Sequence, residues 1–112
     1  MCTKTQLDII INKIVAFSKE IFGSKFNSVI LYGSYARGDF DEESDIDIMI
    51  MVDMPREELK KYRMVFSEFF SDINLESGLF LTSNLQSKVY FDKWQHVMPF
   101  YQNVLREGVM YA

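Results

Sequence analysis

One cysteine and one histidine are all that 112 residues hold of the side chains on which thiol chemistry and soft metal sites rest. Cys2 has no partner for an internal disulfide and stands at a terminus where fraying is expected, so neither a disulfide framework nor a structural cysteine site is in prospect. His96 lies in an aromatic stretch with Trp94, Phe100 and Tyr101 and reads as a packing residue rather than a catalytic one. No apolar run approaches the length that spans a bilayer, and Met1 to Thr5 lack the charged and apolar regions of a signal peptide, so no membrane partner and a cytoplasmic location are expected. An excess of basic charge is also missing. The formal net charge is −4, and a chain without a basic stripe is a poor match for a phosphate backbone, so direct nucleic-acid binding is not expected. Repeats, linkers and low-complexity segments are absent, which favours one domain over residues 1–112.

What is present is core-forming material: 48% hydrophobic and 15% aromatic residues, with 25% charged, excludes the disordered classes. Leu7, Ile10, Ile11, Ile14, Phe17 and Ile21 recur at helical spacing, Thr5 with Asp8 suits a helix start, and Gly23 a stop, predicting a helix over about residues 5 to 22. Asn27 to Tyr32 is a β-rich run that halts at Gly33-Ser34 and reads as a buried strand ending in a turn. From Asp45 to Val52 the chain alternates, with Ile46, Ile48, Ile50 and Val52 on one face and Asp45, Asp47, Met49 and Met51 on the other. Pro55 then opens a second long helix whose apolar stripe runs from Leu59 to Ile73. Gly78 to Thr82 is a third strand candidate, Tyr90 to Val97 a short helix, Pro99 to Leu105 another, and Val109 to Tyr111 a last short strand. The aromatics Tyr90, Phe91, Trp94, Phe100 and Tyr101 are expected to complete the core or to face a protein partner.

The chemistry concentrates between residues 33 and 47. A Gly-Ser turn leaving a strand exposes backbone N–H groups and a hydroxyl that together hold phosphate oxygens, and Gly33 permits close approach. Asp45 and Asp47 project from one strand face, so their carboxylates share a hard cation such as magnesium. Asp is disfavoured in strands, so two of them there ask for a reason. If the flanking strands are antiparallel, Gly33-Ser34 comes to lie beside Asp45 and Asp47, whereas a parallel crossover would need more connecting chain. Asp39, Asp41, Glu43, Asp45 and Asp47 superficially copy a calcium loop, but Ser44 stands where glycine is required and Ile50 where glutamate is. Arg37 beside these acids reads as an ion pair at least as readily as a phosphate ligand. A phosphate cradle beside paired carboxylates is the equipment of phosphoryl or nucleotidyl transfer.

Gly33-Ser34-Tyr35-Ala36-Arg37-Gly38 followed by Ser44-Asp45-Ile46-Asp47 resembles the signature of the polymerase-β-type nucleotidyltransferases, in particular the minimal nucleotidyltransferases. The resemblance covers roughly residues 5 to 52. It implies an α/β (α+β) fold with a small mixed, largely antiparallel sheet and helices packed on it. It also implies nucleotide phosphates held by Gly33 and Ser34, and Mg2+ or Mn2+ held by Asp45 and Asp47. The implied reaction moves a nucleoside monophosphate, AMP from ATP, to a hydroxyl of a protein or small molecule. Minimal members often pair with a HEPN-type toxin, so an antitoxin role with such a partner is implied too. The family's third acidic residue, on a neighbouring strand, has Glu76 as its nearest candidate catalytic residue here; if the slot falls on Gly78 it is absent. With no second domain to contact base and acceptor, a protein partner or a second copy would supply those surfaces. Two readings stay open: a metal-dependent nucleotidyltransferase, or a binding module on the same fold that neutralises a partner by occlusion.

Overall fold

The computed structural model describes residues 4–33 and 45–111. Cys2, Ser34, Arg37 and the acids from Asp39 to Glu43 lie outside the described residues.

Helix α1 (Lys4–Phe22) buries Leu7, Ile11, Ile14, Ser18 and Phe22, a three-and-four spacing that puts one stripe against the sheet. Ser18 joins that stripe by donating its hydroxyl to the Ile14 carbonyl at 2.7 Å. The helix ends at Gly23, which opens a short 3-10 turn leading into β1 (Phe26–Tyr32). β2 (Ile46–Val52) follows. The expected second long helix exists but is divided: α2 (Arg56–Leu59), a 3-10 turn over Lys60–Tyr62, then α3 (Arg63–Ser77). After it come β3 (Leu81–Ser87), α4 (Lys88–Trp94), α5 (Pro99–Glu107) and β4 (Val109–Met110).

The four strands form one mixed sheet in the order β3-β2-β1-β4. β1 is antiparallel to both β2 and β4, and β3 is parallel to β2. Both the mixed sheet and the antiparallel pairing of the strands around residues 33 to 44 are as the sequence predicts.

Two strand faces make two cores. Val29, Leu31, Ile46, Ile48, Ile50 and Val52 point to the side covered by α1 and α3, where Phe66 and Phe70 join them. Ile30, Met49 and Met51 point to the other side and meet Phe91, Tyr101 and Val104 from α4 and α5. The alternation expected for β2 thus holds residue by residue.

Three boundaries differ from expectation. α3 runs four residues past Ile73, because Asn74 is spent on the sheet: its side-chain amide donates to the Leu81 carbonyl (3.0 Å) and accepts from the Leu81 N–H (2.8 Å). Gly78, left-handed at φ 74°, then ends the helix, so the third strand starts at Leu81 rather than at Gly78. Ser87 accepts a bond from the Tyr90 N–H, which starts α4 at Lys88 instead of Tyr90. His96 also departs from its expected packing role, since it is exposed in the turn between α4 and α5. Phe91 and Tyr101 are buried as expected, but Phe100 is 42% exposed.

Candidate active site

Hydrophobic alternation places the carboxylates. Burying Ile46, Ile48 and Ile50 beneath α1 and α3 forces Asp45 and Asp47 to the opposite face, at the end of β2 where α4 and α5 do not cover it. The β1 register then pairs Tyr32 with Asp47, so the chain leaves β1 at Gly33 directly against the second carboxylate.

Gly33 has φ +81°, a conformation that glycine adopts without strain, and a Cβ there would collide with Asp47 Oδ2 and stand 3.3 Å from its Cγ. Backbone conformation therefore favours glycine, and a side chain there would have to push the Asp47 carboxylate aside. On its other side, the Asp47 carboxylate accepts a 2.8 Å hydrogen bond from Thr82 Oγ1 on β3. Asp47 is half-buried and held between two strands, while Asp45 is exposed just before β2 begins.

Thr82 begins a polar row along β3. Asn84 Nδ2 donates to the Tyr32 hydroxyl at 3.1 Å, Gln86 Nε2 to Asn84 Oδ1 at 2.8 Å, and the Tyr101 hydroxyl to Gln86 Oε1 at 3.0 Å. Burial holds the Tyr32 hydroxyl above its ordinary value of 10.0, the bond from Asn84 works against this, and the Asp47 charge adds to it. Tyr32 is thus a neutral phenol at neutral pH, beside a carboxylate.

The sequence-predicted residues divide into groups. Gly33, Asp45 and Asp47 converge at the β1–β2 end, as the antiparallel pairing requires. Ser34 lies outside the described residues. Glu76 is placed differently from expectation: it sits exposed in the last turn of α3, before the strand that neighbours β2 begins. Gly78, the other slot considered, is the helix cap. On β3 the register sets Thr82 beside Asp47, and the Phe80 carbonyl, just before β3 begins, accepts a 2.8 Å bond from the Ile46 N–H. The β3 position beside Asp47 therefore carries a hydroxyl. Among the described residues, no group of three His, Cys, Asp or Glu side chains is gathered to hold a metal. Asp45 and Asp47 offer oxygen donors of the hard type that Mg2+ and Mn2+ prefer, and the orientation of Asp47 is already set by Thr82.

Sequence reasoning missed Thr82, Asn84 and Tyr32. Their only signal is the alternation Thr82, Asn84, Gln86, which a strand makes into one polar face.

Comparison with known proteins agrees with this geometry. The nucleotidyltransferase domain family matches residues 11–93, well over half of the chain, and the match includes Gly33, Asp45, Asp47 and all of β3. A protein of Methanocaldococcus jannaschii, provisionally named protein adenylyltransferase, is 33% identical over 101 residues, which covers 88% of this chain and 90% of the relative. Two others of the same organism and the same provisional name are 54% identical over 50 residues (41% of this chain, 50% of the relative) and 49% identical over 45 residues (38% and 45%). The mixed sheet, the glycine packed on a strand carboxylate and the extent of the match lead to one assignment: the chain belongs to the nucleotidyltransferase domain family and is an enzyme of the transferase class.

Proposed function

We infer that the chain transfers AMP from ATP to a hydroxyl of a protein, using Mg2+ or Mn2+. The observation that carries this reading is the close approach of Gly33 to the Asp47 carboxylate, which supports a phosphate-binding role for the one beside a cation-binding role for the other. Asp45 and Asp47 would hold the cation, which when bound withdraws charge from the phosphate oxygens. Gly33 and Ser34 would take the triphosphate, and the bond from Thr82 holds the Asp47 carboxylate in place. In the transfer, a bond forms between the acceptor oxygen and the α-phosphorus, the α–β bridging bond breaks, pyrophosphate leaves and the hydroxyl proton is lost. Adenylyl rather than another nucleotidyl group, and protein as acceptor, are supported by the provisional names of the relatives. A HEPN-type toxin is the acceptor that this reading puts first, with the chain as its antitoxin.

The test uses ATP labelled at the α-phosphate and, separately, at the γ-phosphate, with Mg2+ and candidate protein acceptors. Label should move from the first and not the second, and Asp47→Ala should stop it. No transfer to any acceptor, or transfer that survives Asp47→Ala, would overturn the reading.

A second reading has its own observation. Thr82 occupies the β3 position beside Asp47, where a further carboxylate would serve as proton acceptor. On this reading the chain neutralises its partner by occlusion. Neutralisation that persists in the Asp45→Ala, Asp47→Ala double variant would favour it.

A further inference from the structure

A cleft of about 210 Å3 opens beside Gly33, lined by Tyr32, Gly33, Phe100, Asn103, Val104 and Glu107. We propose that this cleft, built by α5 against the end of β1, takes the purine ring of the nucleotide and selects adenine. The proposal rests on the transferase reading above, since it assumes phosphates at Gly33.

Size comes first. Pockets that enclose a whole drug-sized ligand run to roughly 300–1,000 Å3, so this one suits a planar ring rather than an entire nucleotide. Continuity comes second: Tyr32 and Gly33 belong both to the cleft and to the β1 end that meets Asp47, so one ligand reaches both.

The lining has the chemistry of a base site. Phe100 is apolar, 42% exposed, and held edge-on to Tyr32 with centroids 5.6 Å apart, leaving ring surface for stacking without rearrangement. Asn103 Oδ1 accepts a 2.6 Å bond from Arg106 Nη2, which orients the amide. Nδ2 is then a donor and the second lone pair of Oδ1 an acceptor, the combination that meets N7 and the N6 amino group of adenine. Guanine presents an oxygen where adenine presents that amino group, and so mismatches Oδ1.

Calorimetric titration of the full chain with Mg2+ and three probes tests this: α,β-methylene-ATP, α,β-methylene-GTP and inorganic tripolyphosphate. The native chain should bind the ATP analogue more tightly than either other probe. Asn103→Leu and Phe100→Ala should each weaken the ATP analogue by about tenfold or more while leaving tripolyphosphate unchanged, and Asn103→Leu should close the gap between the adenine and guanine probes. Phe100→Leu keeps apolar contact with Tyr32 but removes the ring, so it serves if Phe100→Ala fails to fold. Variants that keep the affinity for the ATP analogue, or that lose tripolyphosphate in parallel with it, overturn the proposal. If the native chain binds tripolyphosphate and the ATP analogue equally, the base site alone falls; if it binds neither, the transferase reading falls with it.

Discussion

The two faces of the sheet are built from the same strands yet solve different problems. On one, 17 buried apolar side chains among the described residues form the core over β1 and β2, with the Phe66 ring in contact with those of Phe17 and Phe22. On the other, six do so, and the remaining area carries Asp45, Asp47, Thr82, Asn84 and Gln86. The stability of the closed face lets the other leave carboxylates at a strand end, where their burial would be costly unless paired or shared with a cation. Stability and chemistry are thus separated by the pleat itself: every step of one residue along β2 crosses from one to the other.

Substitutions on the two faces should therefore fail in opposite ways. Phe66 is fully buried on the closed face, and Phe66→Ala should cost about 3–5 kcal/mol in urea denaturation, the largest stability loss expected here, while transfer by the remaining folded protein stays near native. Loss of transfer in the folded fraction of that variant would break the comparison. Gly33→Ala should cost less stability, about 1–3 kcal/mol from the positive φ, but should lower the transfer rate at least about 100-fold by pushing Asp47 aside. A native rate in Gly33→Ala would show that the close approach is incidental. Thr82→Val removes only the bond to Asp47 Oδ1, so stability should change by no more than about 1 kcal/mol while metal affinity falls by roughly 10- to 100-fold, read by titration with Mn2+. Equal losses in both measurements would make Thr82 merely structural.

The smallest effect is one of pH. Burial holds the Tyr101 hydroxyl above its ordinary 10.0, with the neighbouring Tyr90 adding to the shift and Arg56 opposing it. The folded form then keeps a proton that the unfolded chain gives up, so this stability is intact below about pH 10 and is lost as pH rises towards the raised value. Tyr101→Phe should flatten the decline of the urea midpoint above pH 10.0. An unchanged slope would show that Tyr101 does not contribute to alkaline unfolding.

Much of this was legible in the residues because both sides of the alternation in β2 are extreme: isoleucine on one, aspartate on the other. The glycine turn and the length of the connection then sufficed to predict antiparallel pairing, and with it the meeting of Gly33 and Asp47. β3 was not legible in the same way. Leu-Thr-Ser-Asn-Leu-Gln-Ser holds one β-branched residue and reads as loop; it is a strand because β2 offers a parallel ladder and Asn74 holds its first residue. Misplacing that strand by three residues is what made Glu76 look like its neighbour. His96 was misread for a related reason, since a cluster of aromatics does not say which members face outward, and α5 turns Tyr101 in and Phe100 out.

The bonds between Asn74 and Leu81 have a consequence for solubility. β3 is an edge strand, and an open edge is a template on which a foreign chain can add and begin to aggregate. In a parallel pairing, Leu81 turns its backbone groups away from β2, and both are already occupied by a single carboxamide. The end of the edge nearest Asp47 is thereby blunted with one side chain, so growth of an intruding ladder is stopped where it would deform the site first.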